Sequence, residues 1–230
     1  MRELFLLLRM KPAGKCPQIR GTLMYPVTAL FFDLDGTLVN TLPDIARAVN
    51  QLRRENGRPL LNSEQIQAIV GDGARKLVLR AMGGERETWF QRFMELYDRD
   101  LLCDSSLYDG IETVLDFYDD KMLACITNKP KALAERVLAG LNIIDRFQLV
   151  IGPEDVPQKK PDPAGIFQAL AHFSLDPGQV VMVGDHHADL RAAAAAGVAS
   201  CFCDYGYGHA DGLSVAARIG KPLELLTYFT

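Results

Sequence analysis

At 230 residues, with 48% hydrophobic and 23% charged side chains, the chain has enough apolar material for one large core or a core plus a smaller insert, which excludes a disordered chain. A formal net charge of -4, with no dense Lys/Arg stripe and interleaved aromatics, argues against nucleic acid as a partner. No apolar stretch approaches the roughly 18 residues of a membrane helix, so the expectation is a soluble protein with no membrane partner, and an odd set of five cysteines fits a cytoplasm.

Residues 1–23 read as an N-terminal extension that is poorly ordered or loosely docked. Leu4 to Leu8 lie between Arg2 and Arg9, but the run is shorter than the about 7 to 15 residues of a secretory signal, and Lys11 and Pro12 interrupt it. Next, the apolar run Leu30-Phe31-Phe32 ends in Asp33-Leu34-Asp35-Gly36-Thr37. That pattern predicts a strand buried on both faces, which delivers acids to a loop at its carboxyl end. Gly36 lets the backbone turn sharply beside an anion or metal.

The stretch 44–109 reads as wholly helical. Pro43 opens a helix with Ile45, Ala48, Val49 and Leu52 on one face. Ser63 caps a second carrying Ile66, Ile69 and Val70. Gly71-Asp72-Gly73 breaks the pattern before a helix over 74–82, and another runs from about Glu85 to Leu102. From Gly110 onward helices and strands alternate: helix 111–118, strand 122–126, helix 130–139, strand 149–152, helix 163–173, strand 180–183, helix 188–196 and strand 198–203. A terminal segment over 223–228 reads as helical. Alternation of this kind predicts an α/β fold: a Rossmann-like parallel sheet flanked by helices. The expected division is an α/β core over 24–43 and 110–230, with an inserted helical cap over 44–109.

Cys16, Cys103, Cys125, Cys201 and Cys203 show no repeated metal spacing, and reduced thiols fit best. Cys201 and Cys203 fall inside a predicted strand and read as small buried hydrophobes. The residues just past each strand are more telling. Thr127 and Asn128 come after the second, Lys159 and Lys160 after the third, and Asp185 and Asp189 after the fourth. Parallel strands share one carboxyl edge, so these groups should converge on Asp33.

The order Asp33-Leu34-Asp35-Gly36-Thr37, Thr127-Asn128, Lys160-Pro161-Asp162-Pro163, Gly184-Asp185-His186-His187-Ala188-Asp189 resembles the haloacid dehalogenase superfamily of phosphatases. The helical insert also lies where that family places its cap. Asn40 to Asn50, Val70 to Ala74 and Tyr205-Gly206-Tyr207-Gly208 are similar to the phosphoglycolate phosphatase subgroup. The resemblance implies a Mg²⁺-dependent hydrolase of a small phosphorylated metabolite such as 2-phosphoglycolate, working as monomer or homodimer through an aspartyl-phosphate.

In that scheme Asp33 is the nucleophile and Asp35 the general acid and base. Thr127 and Lys160 hold the phosphoryl oxygens, and Asn128 adds a hydrogen bond. Magnesium takes the carboxylates of Asp33 and Asp185 and the Asp35 carbonyl; Asp189 orients metal waters or Lys160, with direct ligation as the alternative. Thr37 is a further substrate-side residue. In the cap, Gly73 lowers backbone amides over the substrate, and Arg75 or Lys76 meets its carboxylate. Two positions depart from the family pattern: Asn40 replaces a commoner Asp, and His186 a small polar residue, which leaves the metal preference open. Sugar or amino-sugar phosphates, such as N-acetylmuramic acid 6-phosphate, are the alternative substrates. A phosphomutase is disfavoured by Thr37, and a non-catalytic binding protein by the full set of acids.

Overall fold

The structure, a computed structural model, describes residues 25–230; the extension over 1–23 and Cys16 lie outside the described residues. Strand β1 (Ala29–Phe32) is buried at every position. Leu30 and Phe32 enter one apolar layer and Ala29 and Phe31 the opposite one, so the sheet is covered on both sides. Beyond β1 the chain turns at Gly36, where φ is +87°, and forms the two-residue strand β2 (Val39–Asn40).

Helices α1 (Leu42–Glu55), α2 (Ser63–Gln67), α3 (Ala74–Met82) and α4 (Glu87–Arg99) come next. They share a separate apolar cluster that includes Val49, Leu52, Met82, Phe93 and, from the sheet side, Leu133. Strand β3 (Ser106–Leu107) brings the chain back, pairing antiparallel with β2. The remainder alternates through α5 (Ile111–Phe117), β4 (Met122–Ile126), α6 (Lys131–Gly140), β5 (Leu149–Ile151), α7 (Ala164–Phe173), β6 (Val180–Gly184), α8 (His187–Ala196), β7 (Ala199–Cys203) and β8 (Ala217–Ile219).

The main sheet has six strands in the order β5-β4-β1-β6-β7-β8, with every pairing parallel. From β1 the chain first builds outward through β4 and β5, then crosses to the other side for β6, β7 and β8. The reversal puts a crevice beyond the carboxyl ends of β1, β4 and β6, where such sheets bind ligands. Phe32 lies opposite both Cys125 and Val183, so Asp33, Thr127 and Asp185 leave the sheet at the same edge.

Several expectations need correction. The stretch 44–109 is not wholly helical, because Ser106–Leu107 is a strand; two residues are too few to show a period of two. Strand β8 adds a sixth strand that the pattern did not reveal. Asn62, not Ser63, caps α2, accepting from Gln65 N at 2.9 Å while Gln65 Oε1 accepts from Asn62 N. Pro163 stands one place before the first residue of α7, with the Asp162 side chain accepting from Ala164 N at 2.9 Å. The terminal segment is helical as expected, but as a 3₁₀ helix over Pro222–Thr227.

Asp44, in the first turn of α1, is fully buried. Its carboxylate accepts from Asp104 N and Ser105 N, both at 2.9 Å, and from Ser105 Oγ at 2.5 Å. This one side chain ties the start of the helical layer to its return strand. Asp44→Ala leaves those donors buried without an acceptor, and the expected loss is about 2–4 kcal/mol of unfolding free energy, read from the denaturant midpoint. Among the described residues no helix is long and apolar enough to cross a membrane. Cys103, Cys125, Cys201 and Cys203 are free thiols, and the last two are buried in β7.

Candidate active site

Asp33 is the first residue past β1, its N-H donating to Val183 O at 2.9 Å. Lys160, from the loop before α7, reaches under it. Its buried ammonium lies 2.8 Å from Asp33 Oδ1 and 2.6 Å from Asp189 Oδ1, and it donates to Ile126 O at 2.5 Å. Burial alone would lower the Lys160 ammonium, but Asp189 and Asp33 outweigh it and hold the charge. Asp189 Oδ2 accepts from His186 N at 3.1 Å, which fixes the acid at the start of α8.

Asp185 lies just past β6 and is gripped from two directions. Its Oδ2 accepts from Tyr207 N at 3.0 Å and Gly208 N at 2.9 Å, and its Oδ1 from Thr37 Oγ1 at 3.3 Å. The fit is tight: a Cβ on Gly36 would collide with the Asp185 carboxylate, so that glycine is needed for space as well as for its positive φ. Tyr205 to Gly208 therefore form a strap on the acid. Thr37 supports Asp185 instead of facing the pocket, and its carbonyl accepts from Tyr205 OH at 2.9 Å.

Asp33, Asp185 and Asp189 bring carboxylate oxygens within 4.8 Å of one another, all buried. Asp33 Oδ1 and Asp189 Oδ1 share the single Lys160 ammonium, and the Asp35 carbonyl accepts no hydrogen bond among the described residues. One ammonium cannot neutralise three carboxylates. Burial raises Asp33 to about 6 against the pull of Lys160, and burial, then Asp33 and Asp189, push Asp185 well above the ordinary carboxylate range. An unpartnered carbonyl oxygen and uncompensated negative charge fit a divalent cation.

A second group, Asp72, His186 and His187, also has ligand atoms within 4.8 Å, but its chemistry does not suit a cation. Asp72 is already paired with Arg80. His186 Nδ1 accepts from Ala188 N at 3.3 Å, which places the proton of the neutral ring on Nε2. Burial and His187 lower His186 to about 4, so it stays neutral and serves as a cap on α8.

Above the acids lies a cavity of about 640 Å³, partly open to solvent. Its floor includes Asp33, Asp35, Thr127, Asn128 and Asp185, and its walls include Ile45, Leu77, Phe93, Met94 and Leu133. Thr127 Oγ1 accepts from Lys129 N at 3.1 Å, leaving its O-H to donate elsewhere. Asn128 uses its amide N-H groups on Lys160 O at 3.0 Å and Gly71 O at 3.2 Å, so it links loops where a donor to substrate was expected. Gly73 lines the cavity at φ +88°. Arg75 and Lys76 do not line it: Arg75 pairs with Glu87 at 2.6 Å, and Lys76 lies 3.8 Å from Asp72, both lysine and arginine more than half exposed.

Residues that sequence reasoning missed surround Asp35. Its Oδ1 accepts from Thr41 Oγ1 at 2.7 Å and from Lys129 Nζ at 2.9 Å. Thr41 Oγ1 is also 2.8 Å from Tyr207 OH, and Lys129 donates to Tyr97 OH at 2.5 Å. Only the adjacency of Lys129 to Thr127 and Asn128 signalled it.

Residues 30–203 match the family model described as haloacid dehalogenase-like hydrolase. The chain is 37% identical over 194 residues to a phosphoglycolate phosphatase of Nitrosospira multiformis, covering 79% of this chain and 85% of the relative. Against a phosphoglycolate phosphatase of Chromobacterium violaceum it is 34% identical over 210 residues, covering 86% and 95%. Among solved structures, one from Haemophilus somnus 129pt, described as a predicted phosphoglycolate phosphatase, superposes with a TM-score of 0.79 at 28% identity, covering 87% of this chain and 96% of the other.

Proposed function

The chain belongs to the haloacid dehalogenase-like hydrolase family and is a phosphoric monoester hydrolase, and from that premise we propose that it hydrolyses 2-phosphoglycolate with Mg²⁺ through an aspartyl-phosphate on Asp33. The observation that carries the proposal is the gathering of Asp33, Thr127, Lys160, Asp185 and Asp189 at one sheet edge, with more carboxylate charge than one ammonium balances. The helices over 44–109 act as the cap. The names of the relatives support the substrate, and the free thiols among the described residues agree with a cytoplasmic location.

Asp33 and Asp185, with the Asp35 carbonyl, would hold the magnesium, which supplies positive charge against a dianionic ester. Asp33 attacks phosphorus in line, while the Lys160 ammonium and the Thr127 hydroxyl hold the phosphoryl oxygens. Asp35, fixed by Thr41 and Lys129, gives a proton to the leaving oxygen and then takes one from the water that opens the aspartyl-phosphate. Asp189 keeps Lys160 in place. A second reading, a sugar or amino-sugar phosphate, would lay a larger alcohol part in the same cavity, against Leu77, Phe93, Met94 and Leu133.

Phosphate release from a panel of monoesters tests both readings: 2-phosphoglycolate is expected to lead, and a chelator to stop turnover. Failure of every ester with Mg²⁺ present overturns the activity. Metal should also stabilise the fold. Because Asp33 and Asp185 are raised, they hold protons at low pH that a cation must displace. The melting midpoint of metal-free protein is therefore expected to rise on adding Mg²⁺ at pH 7.5, and by clearly less at pH 5.

A further inference from the structure

Among the described residues, Lys129 is the only lysine or arginine that lines the cavity. Lys160 stands at the phosphoryl end, beside Asp33 and Asp189, and Arg75 and Lys76 lie outside. The Lys129 side chain is buried, with its Nζ 2.9 Å from Asp35 Oδ1. Of three N-H donors, one goes to Asp35 Oδ1 at 2.9 Å and one to Tyr97 OH at 2.5 Å. The third has no protein acceptor among the described residues.

Position gives that donor a use. Asp35 serves the leaving oxygen, and Lys129 touches the same carboxylate, so a group one or two bonds from the leaving oxygen falls within reach of Nζ. The neighbouring walls, Leu77, Phe93, Met94 and Leu133, offer a carboxylate nothing. A buried, preorganised ammonium with a spare donor is where an anionic group gains most. We propose that Lys129 recognises a carboxylate on the alcohol part of the substrate, so that the site selects monoesters bearing an acid close to the esterified carbon. The inference rests on the phosphatase reading. It holds for a two-carbon acid and for a larger acidic sugar alike, and it moves carboxylate recognition from Arg75 and Lys76 to the core.

The test compares 2-phosphoglycolate with 2-hydroxyethyl phosphate, matched in size but uncharged at that end, with p-nitrophenyl phosphate as the reference ester and Mg²⁺ present. Wild-type protein is expected to favour the acidic ester by about tenfold or more in kcat/KM. Lys129→Met should erase most of that preference, chiefly through KM, while Lys129→Arg retains part of it. Lys129→Gln, which keeps a neutral donor to Tyr97 and Asp35, takes the place of the methionine variant if the latter does not fold. Equal losses on both esters, or no preference in wild type, overturn the role. Wild-type protein that hydrolyses none of the three defeats the phosphatase reading itself; hydrolysis without preference defeats only the role of Lys129.

Discussion

Asp33→Asn is expected to lower kcat by about 10⁴-fold or more, the scale of losing a nucleophile for which no neighbour substitutes. Asp35 cannot stand in, because Thr41 and Lys129 hold its carboxyl. Phosphate release measures the loss, and mass spectrometry of quenched wild-type enzyme should show a phosphoryl adduct that the variant lacks. The same change should strengthen the metal-free fold. Asp33 is raised to about 6, chiefly by burial, and a carboxyl raised on folding contributes stability that is complete at low pH and lost as pH rises through that value. At pH 8 the asparagine removes a charge costing up to about 3 kcal/mol, so the metal-free variant should melt higher than wild type, with the gap closing toward pH 4. A variant that turns over at the wild-type rate rules out the aspartyl-phosphate route.

Lys160→Met should be damaging twice over. Among the described residues it removes the only ammonium beside Asp33 and Asp189, so the phosphoryl oxygens lose a partner and kcat is expected to fall by about 10²- to 10³-fold. It also leaves three buried carboxylates with no compensating cation. Breaking a buried pair from one side costs about 3–5 kcal/mol. Without the lysine Asp33 is raised further, so the deficit in the metal-free protein is largest above pH 7 and shrinks as that acid takes up its proton. Melting curves at pH 5 and pH 8 read it directly. A deficit of equal size at both values would mean that packing, not charge, is what the lysine supplies.

Much of the site was legible because its residues sit directly after apolar runs. Leu30 to Phe32, Met122 to Ile126 and Val180 to Gly184 are strands of unambiguous type, and in a parallel sheet the residues at their carboxyl ends meet at one edge. The parts that stayed hidden depend on partners remote in the chain. Lys129 acquires its place from Tyr97, 32 residues earlier, and Asp35, 94 earlier. Asp44 reads as a routine first-turn acid until Ser105, 61 residues on, donates to it. Strands β2 and β3 are each two residues long and owe their existence to one another. Arg75 and Lys76 opened the right helix, but the register of α3 sends them to solvent, and no periodicity rule separates a cation facing substrate from one facing water.

The β2/β3 ribbon governs how the molecule can deform. Both passages between the sheet and the helical layer run through it, and antiparallel pairing together with Asp44 binds them into one strip. Two independent tethers would permit sliding and twisting; a bonded strip leaves chiefly a swing about a single axis. Such a swing would lift Gly71 away from Asn128 and Tyr97 away from Lys129 together, so solvent entry and loss of a partner for the buried ammonium become one mechanical event.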